Sequence, residues 1–140
     1  MNAGMLFQKS ELLEHLTAYE NVIVPALLAK LPPPEKKHVN DAFRDIGLAG
    51  KLDRYPSELS GGERARVSFL RATLSGGGML FADEPTSELD TKNAHLLMTL
   101  LKKEQDMGRT IFFITHDGAM AKYADQSYVI DPVTHTLCPL

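Results

Sequence analysis

Residues 59–63 read Leu-Ser-Gly-Gly-Glu, residues 79–84 read Met-Leu-Phe-Ala-Asp-Glu, and residues 87–90 read Ser-Glu-Leu-Asp. The span that contains them decides the fold. Ser60 with Glu63 three places later is a capping box, so Gly61 and Gly62 fall in the first turn of a helix whose unpaired N–H groups face outward. Such an end attracts anions, and adjacent glycines let a large anion reach the backbone because no Cβ intrudes. The apolar run before Asp83 and Glu84 is short enough for a buried strand that delivers both carboxylates to the edge of a sheet. An anion cradle and an acidic pair suit nucleotide phosphates, a magnesium ion and an attacking water.

Downstream, Thr91 to Met107 carries Ala94, Leu97, Met98 and Leu101 at helical spacing, and Gly108 ends that helix. Thr110 to Thr115 is β-branched and aromatic, hence a strand that brings His116 to the same sheet edge as Asp83 and Glu84. His15, His38, His95 and His135 read as structural. A last strand runs from Ser127 to Ile130, before the turn at Asp131-Pro132.

The helix after Ser60 is apolar on two sides, with Ala65, Phe69 and Ala72 on one and Val67, Leu70 and Leu74 on the other. It is therefore sandwiched, with Arg64, Arg71 and Ser68 on a polar edge. Upstream, Thr17 and Glu20 form a second capping box, and Tyr19, Val22, Ile23, Ala26 and Leu27 keep helical spacing to a kink or restart at Pro25. Val39, Ala42, Phe43 and Ile46 form another stripe that ends at Gly47. Residues 4–8 read as the tail of a strand ending at Gln8, whose amide can hold a water or a metal's hydration shell. Strands alternating with helices give an α/β fold with a partial parallel sheet. The expected divisions are residues 1–9, the end of a core strand with its polar loop, residues 10–75, a helical subdomain, and residues 76–140, the rest of the α/β core.

A net charge of -3 gives no basic face, so nucleic acid is not an expected partner. The single cysteine, Cys138, excludes an internal disulfide and a cysteine metal cluster, and it reads as a small buried hydrophobe in a reducing cytoplasm. The start of the chain lacks the features of a secretory signal, and the longest apolar stretch is too short to span a bilayer. Gly50-Lys51 fails as a phosphate loop. The pattern Gly-x-x-x-x-Gly-Lys-[Ser/Thr] would need glycine at Asp45 and a hydroxyl at Leu52.

Leu59 to Glu63 resembles the signature motif of ABC-type ATPases, Met79 to Glu84 their Walker B strand with its following glutamate, and Ser87 to Asp90 their D-loop. Phe7-Gln8 resembles the Q-loop, and Thr115-His116-Asp117 the switch-histidine loop. The stretches Leu12-Leu13-Glu14-His15-Leu16-Thr17, Glu20-Asn21-Val22 and Ala82-Asp83-Glu84-Pro85-Thr86 are most similar to the lipoprotein-release and macrolide-export branch. The five motifs stand in the family's order and cover nearly the whole chain.

The resemblance implies an incomplete P-loop NTPase core with a helical signature subdomain, and ATP and Mg2+ as cofactors. It implies that Asp83 binds the metal through its water shell, Glu84 orients or deprotonates the attacking water, His116 holds the γ-phosphate, and Gln8 completes the metal and water shell. Ser60, Gly61, Gly62 and Glu63 would meet the ATP of an opposite protomer in a head-to-tail dimer, and Asp90 would contact across that interface. The segment from Leu12 to Pro25 would receive a transmembrane permease subunit, which places the chain in the cytoplasm on the inner face of the membrane. No Walker A motif occurs in these 140 residues, so weak ATP binding and undetectable turnover are expected of the chain alone. A non-catalytic interaction module and a soluble ABC-type ATPase are the alternative readings.

Overall fold

The computed structural model describes residues 3–8, 11–74 and 76–140. Strands β1 (Ala3–Leu6), β2 (Met79–Asp83) and β3 (Thr110–Ile114) form a parallel sheet in that order, with Leu6 opposite Ala82 and Asp83 opposite Ile114. Helices α1 (Ala18–Leu28), α2 (Lys36–Asp45) and α3 (Gly61–Leu74) lie between β1 and β2 in the chain, and α4 (Thr91–Asp106) between β2 and β3. A two-stranded antiparallel hairpin, β4 (Tyr128–Ile130) and β5 (Leu137–Pro139), follows. The α/β class and parallel sheet read from the sequence are those of the structure. The expected divisions at residues 9 and 75 lie outside the described residues, and one continuous hydrophobic cluster joins Leu6, Val22, Phe43, Phe69, Leu80 and Met98.

Both apolar sides of α3 are used. Ala65, Val67, Phe69, Leu70 and Ala72 are buried, and the helix packs against α1, α2, α4 and β1. Its approach to the sheet requires a glycine: a Cβ on Gly4 of β1 would lie 2.2 Å from the Ala72 carbonyl oxygen. Ser68, expected on a polar edge, is instead fully buried and takes a hydrogen bond from Arg71 Nη2 at 3.4 Å. Arg64 and Arg71, one turn away on either side, marked the position as polar, but the packing around α3 buries it.

The Thr17–Glu20 capping box forms as read, but α1 runs through Pro25 instead of restarting there. Proline removes only the donor to the Asn21 carbonyl, while the start of the helix is fixed from outside by Ala18 N–H to Arg54 O and Tyr19 N–H to Leu52 O. Asn21 is wholly buried within this helix. Its Oδ1 accepts from Leu13 N–H at 2.7 Å, and its Nδ2 donates to the carbonyls of Leu13, Leu16 and Thr17. Every polar atom of that amide is satisfied, so it clamps residues 13–17 onto α1 without a desolvation penalty. Cys138 is half-buried in β5, a strand too short and too mixed in composition to be read from the sequence.

The sheet is covered on one face. Leu6, Leu80 and Ala82 are buried beneath the helices, whereas Met5, Phe7, Phe81, Phe112 and Ile114 are exposed on the other side, with Phe81 and Phe112 stacked at 5.4 Å. Leu80→Ala should therefore lower stability by about 2–5 kcal/mol. Phe81→Ala, on the open face, should cost less than about 1.5 kcal/mol. Urea unfolding of the two variants distinguishes the faces, and equal losses would contradict this assignment.

Candidate functional site

The sequence-derived residues fall into two clusters. The first lies at the C-terminal end of the sheet. Asp83 is the last residue of β2, exposed, and its carboxylate has no partner among the described residues. Glu84 follows with φ +45°, a left-handed conformation uncommon for a residue bearing a Cβ. Its N–H still donates to Ile114 O at 2.9 Å, and its carbonyl accepts from Ser87 N–H and Oγ, so the turn is held from both sides. Strain of this kind persists only where the surroundings fix it.

Glu84 Oε1 receives two hydrogen bonds from one residue, the backbone N–H of His116 at 2.9 Å and its ring Nδ1 at 2.7 Å. The glutamate side chain is 16% exposed and the histidine 78%. This orients the ring while its Nε2, and Glu84 Oε2, remain without a partner among the described residues. Asp117 continues the loop by accepting from Ala119 N–H. Gln8 is exposed two residues beyond β1, and extension of the Leu6–Ala82 register places it at the same end of the sheet.

The second cluster joins the N-termini of α3 and α4. Ser60 Oγ accepts from Glu63 N–H at 3.3 Å, and Glu63 Oε2 accepts from Ser60 N–H at 3.0 Å, which completes the capping box. Because the serine oxygen serves as acceptor, its O–H stays available to donate. Glu63 Oε1 pairs with Lys51 Nζ at 3.4 Å, so the lysine that fails as part of a phosphate loop neutralises the cap instead. The Ser60 N–H holds the Glu63 carboxyl below its usual range against the opposing effect of burial, with Lys51 adding to it.

The two glycines differ. Gly61 is open, and a Cβ there would meet nothing within 4 Å. Gly62 is buried, and the room left by its missing side chain holds the Asn93 amide, whose Oδ1 would lie 2.3 Å from a Cβ. The sequence reading that both glycines clear space for an anion is corrected here for Gly62, whose open side is filled from α4. The N–H groups of both glycines have no acceptor among the described residues, as the start of a helix requires. Asp90 caps α4, accepting from Asn93 N–H at 2.9 Å on Oδ1 and from Asn93 Nδ2 at 2.8 Å on Oδ2.

Among the described residues no hydrogen bond or ion pair joins the two clusters. Asn93 and Arg66, which bind each other at 3.1 Å, were not legible as site residues. The only signal was an asparagine three places after a capping aspartate. Arg71 makes a further long-range contact, its Nη1 donating to Glu11 O at 2.8 Å, and burial lowers its pKa from the ordinary arginine value. No helix among the described residues is long and apolar enough to cross a membrane.

A family model described as ABC transporter matches residues 1–87. The chain is 41% identical over 124 residues to the macrolide export ATP-binding/permease protein MacB 2 of Yersinia pestis bv. Antiqua (strain Antiqua), covering 88% of this chain and 18% of that protein. It is 39% identical to MacB of Escherichia coli (strain K12), again over 88% of this chain, and 19% of that protein. The chain thus spans about a fifth of the length of these curated relatives. A dimeric structure of the ATP-binding cassette MJ0796 in a post-hydrolysis state, bound to ADP and Pi, superposes with a TM-score of 0.75 at 30% identity. The match covers 89% of this chain and 56% of that one.

The hydrogen bonds at these helix starts carry a pH dependence. Asp90 is held below 3.8 first by Asn93 N–H and then by its side chain, and Glu63 and Glu20 below 4.5 chiefly by the N–H groups of Ser60 and Thr17. A carboxylate with a depressed folded pKa stabilises the fold above its unfolded pKa, and that contribution is lost as pH falls through the folded value. The thermal midpoint should hold between about pH 7 and 5 and decline below about pH 4.5. A midpoint unchanged down to pH 3 would contradict it.

Proposed function

The chain belongs to the ABC transporter family, and from that premise we propose that it is an ATP-binding and ATP-hydrolysing part of a macrolide-export-type transporter that works as a head-to-tail dimer. The observation that carries this reading is the separation of the two clusters. The water-activating carboxylate and histidine stand at the end of the sheet, while the anion-attracting helix start stands with Asp90 and, among the described residues, shares no hydrogen bond or ion pair with them. Two half-sites on one chain that do not meet are suited to completing two sites between a pair of chains.

Glu84 keeps one oxygen on His116 and offers Oε2 to an attacking water, as a general base or as an orienting acceptor. The His116 ring, aimed by its Nδ1 contact, presents Nε2 to the γ-phosphate when it carries its second proton. Ser60 O–H and the free N–H groups of Gly61 and Gly62 bind the phosphate of the opposite protomer's nucleotide, and Glu63 holds Ser60 in place. Asp90 contacts the partner across the same interface.

Among the described residues no group of three or more His, Cys, Asp or Glu side chains is placed to hold a metal ion by itself. A free Asp83 carboxylate suits magnesium, which keeps several waters and takes one or two carboxylates plus substrate phosphates. Asp83, with Gln8 at the same sheet end, would hold the ion through its water shell, and the ion would neutralise charge on the phosphates.

The permease contact would fall on the segment from Leu12 to Pro25, whose Pro25 lines a space of about 320 Å³ together with Met5, Phe7, Glu11 and Arg71. Exposed Leu13 in that segment and exposed Phe7 in the lining would supply apolar surface for a partner helix. The chain then works at the cytoplasmic face of the membrane without entering it.

ATP hydrolysis tests this reading. Residues 1–140 joined behind the phosphate-loop segment of a macrolide-export relative should hydrolyse ATP with magnesium. Glu84→Gln should lower turnover about 100-fold or more and leave ATP binding by calorimetry intact. The 140 residues alone should bind ATP weakly and show no turnover. Tight binding by the unextended chain, or undiminished hydrolysis by the glutamine variant, would overturn the assignment.

A further inference from the structure

We propose that Asn93 is a positioning residue that latches the Asp90 loop to the first turn of α3, so that both parts of the second cluster move as one body. The proposal rests on the reading above in assigning that body to a partner's nucleotide, but the latch itself is a property of this chain.

Both ends of the Asn93 amide are fixed. An ionised carboxylate only accepts, so the contact with Asp90 Oδ2 at 2.8 Å assigns Nδ2 to that side. A guanidinium only donates, so the contact with Arg66 Nη1 at 3.1 Å assigns Oδ1 to the other. No other orientation of the amide satisfies both neighbours. Asn93 also fills the space beside Gly62, with three of its side-chain atoms within 2.8 Å of where a Cβ would be. It is therefore bonded to α3 through Arg66 and seated against the turn that carries the free N–H groups.

Arg66 extends the connection. Its Nε is buried with no partner among the described residues, so the bond to Asn93 is a main compensation for burying the guanidinium edge. Its charge also acts on Glu63, the residue that closes the cap on Ser60. Hydrogen bonds thus run from Asp90 through Asn93 to Arg66, one turn from the Glu63–Ser60 cap, on which the Arg66 charge acts at longer range. A cap confined to α4 would need only the Asn93 backbone N–H, which Asp90 Oδ1 already takes. The side chain does something else, joining two helices through residues 27 apart in the chain.

Amide exchange and NMR titration of the purified 140-residue chain, without nucleotide, test the latch. Asn93→Ala keeps the backbone cap and removes both side-chain bonds. The bonded amides of Glu63 and Arg64, on the other helix, should exchange about tenfold faster, and the Asp90 titration should move up. Arg66→Ala, which removes no bond to Asp90, should speed exchange at the Asn93 and Ala94 amides to a similar extent. Gly62→Ala should reproduce both effects by displacing the amide. If Asn93→Ala moves the Asp90 titration and leaves the Glu63 and Arg64 amides unchanged, Asn93 only caps its own helix and the proposal fails. Equal acceleration at Phe43 and Leu80 would mean general destabilisation and would also overturn it. Because no ATP is present, failure here leaves the hydrolysis reading untouched, and failure of hydrolysis leaves the latch standing.

Discussion

The burial of α3 on both of its apolar sides is the constraint from which the rest of the arrangement follows. One side needs the sheet and the other needs α1 and α2, so the helix sets the distance between them. Contact with β1 is close enough that only a glycine fits at position 4. With the body of the helix immobilised, its first turn is left projecting with unpaired N–H groups, in a position decided by packing many residues away. An isolated capping box would fray, and here it is anchored by core contacts from Ala65 onward.

The end of β2 illustrates a second constraint. The ladder to β3 continues through Glu84 N–H even though the backbone there has turned left-handed, so the glutamate is held by the sheet and by the Ser87 turn together. That geometry carries its carboxylate onto His116, and one oxygen takes the histidine's backbone N–H and Nδ1. Position is bought with backbone strain, and the remaining carboxylate oxygen is left for chemistry.

β2 and β3 have apolar residues on both faces, the composition of strands in a parallel sheet covered on both sides. Within the described residues α3 and α4 cover one face, and Phe81, Phe112 and Ile114 line the other. The matched cassette is longer, with 56% of its length aligned to this chain.

Capping boxes at Thr17 and Ser60, the stripe ending at Gly47, the strands at 79–83 and 110–114 and the residues of the sheet-end cluster were all legible in the sequence. They depend on local hydrogen bonding and on hydrophobic period, which neighbours in the chain specify. Ser68, Asn21, Asn93 and Arg66 were not legible, because a polar residue's burial depends on which distant atoms meet its donors and acceptors. Gly62 shows the difference most directly: the sequence required a residue without a side chain, and only the packing of α4 on α3 decided that an asparagine would occupy the space.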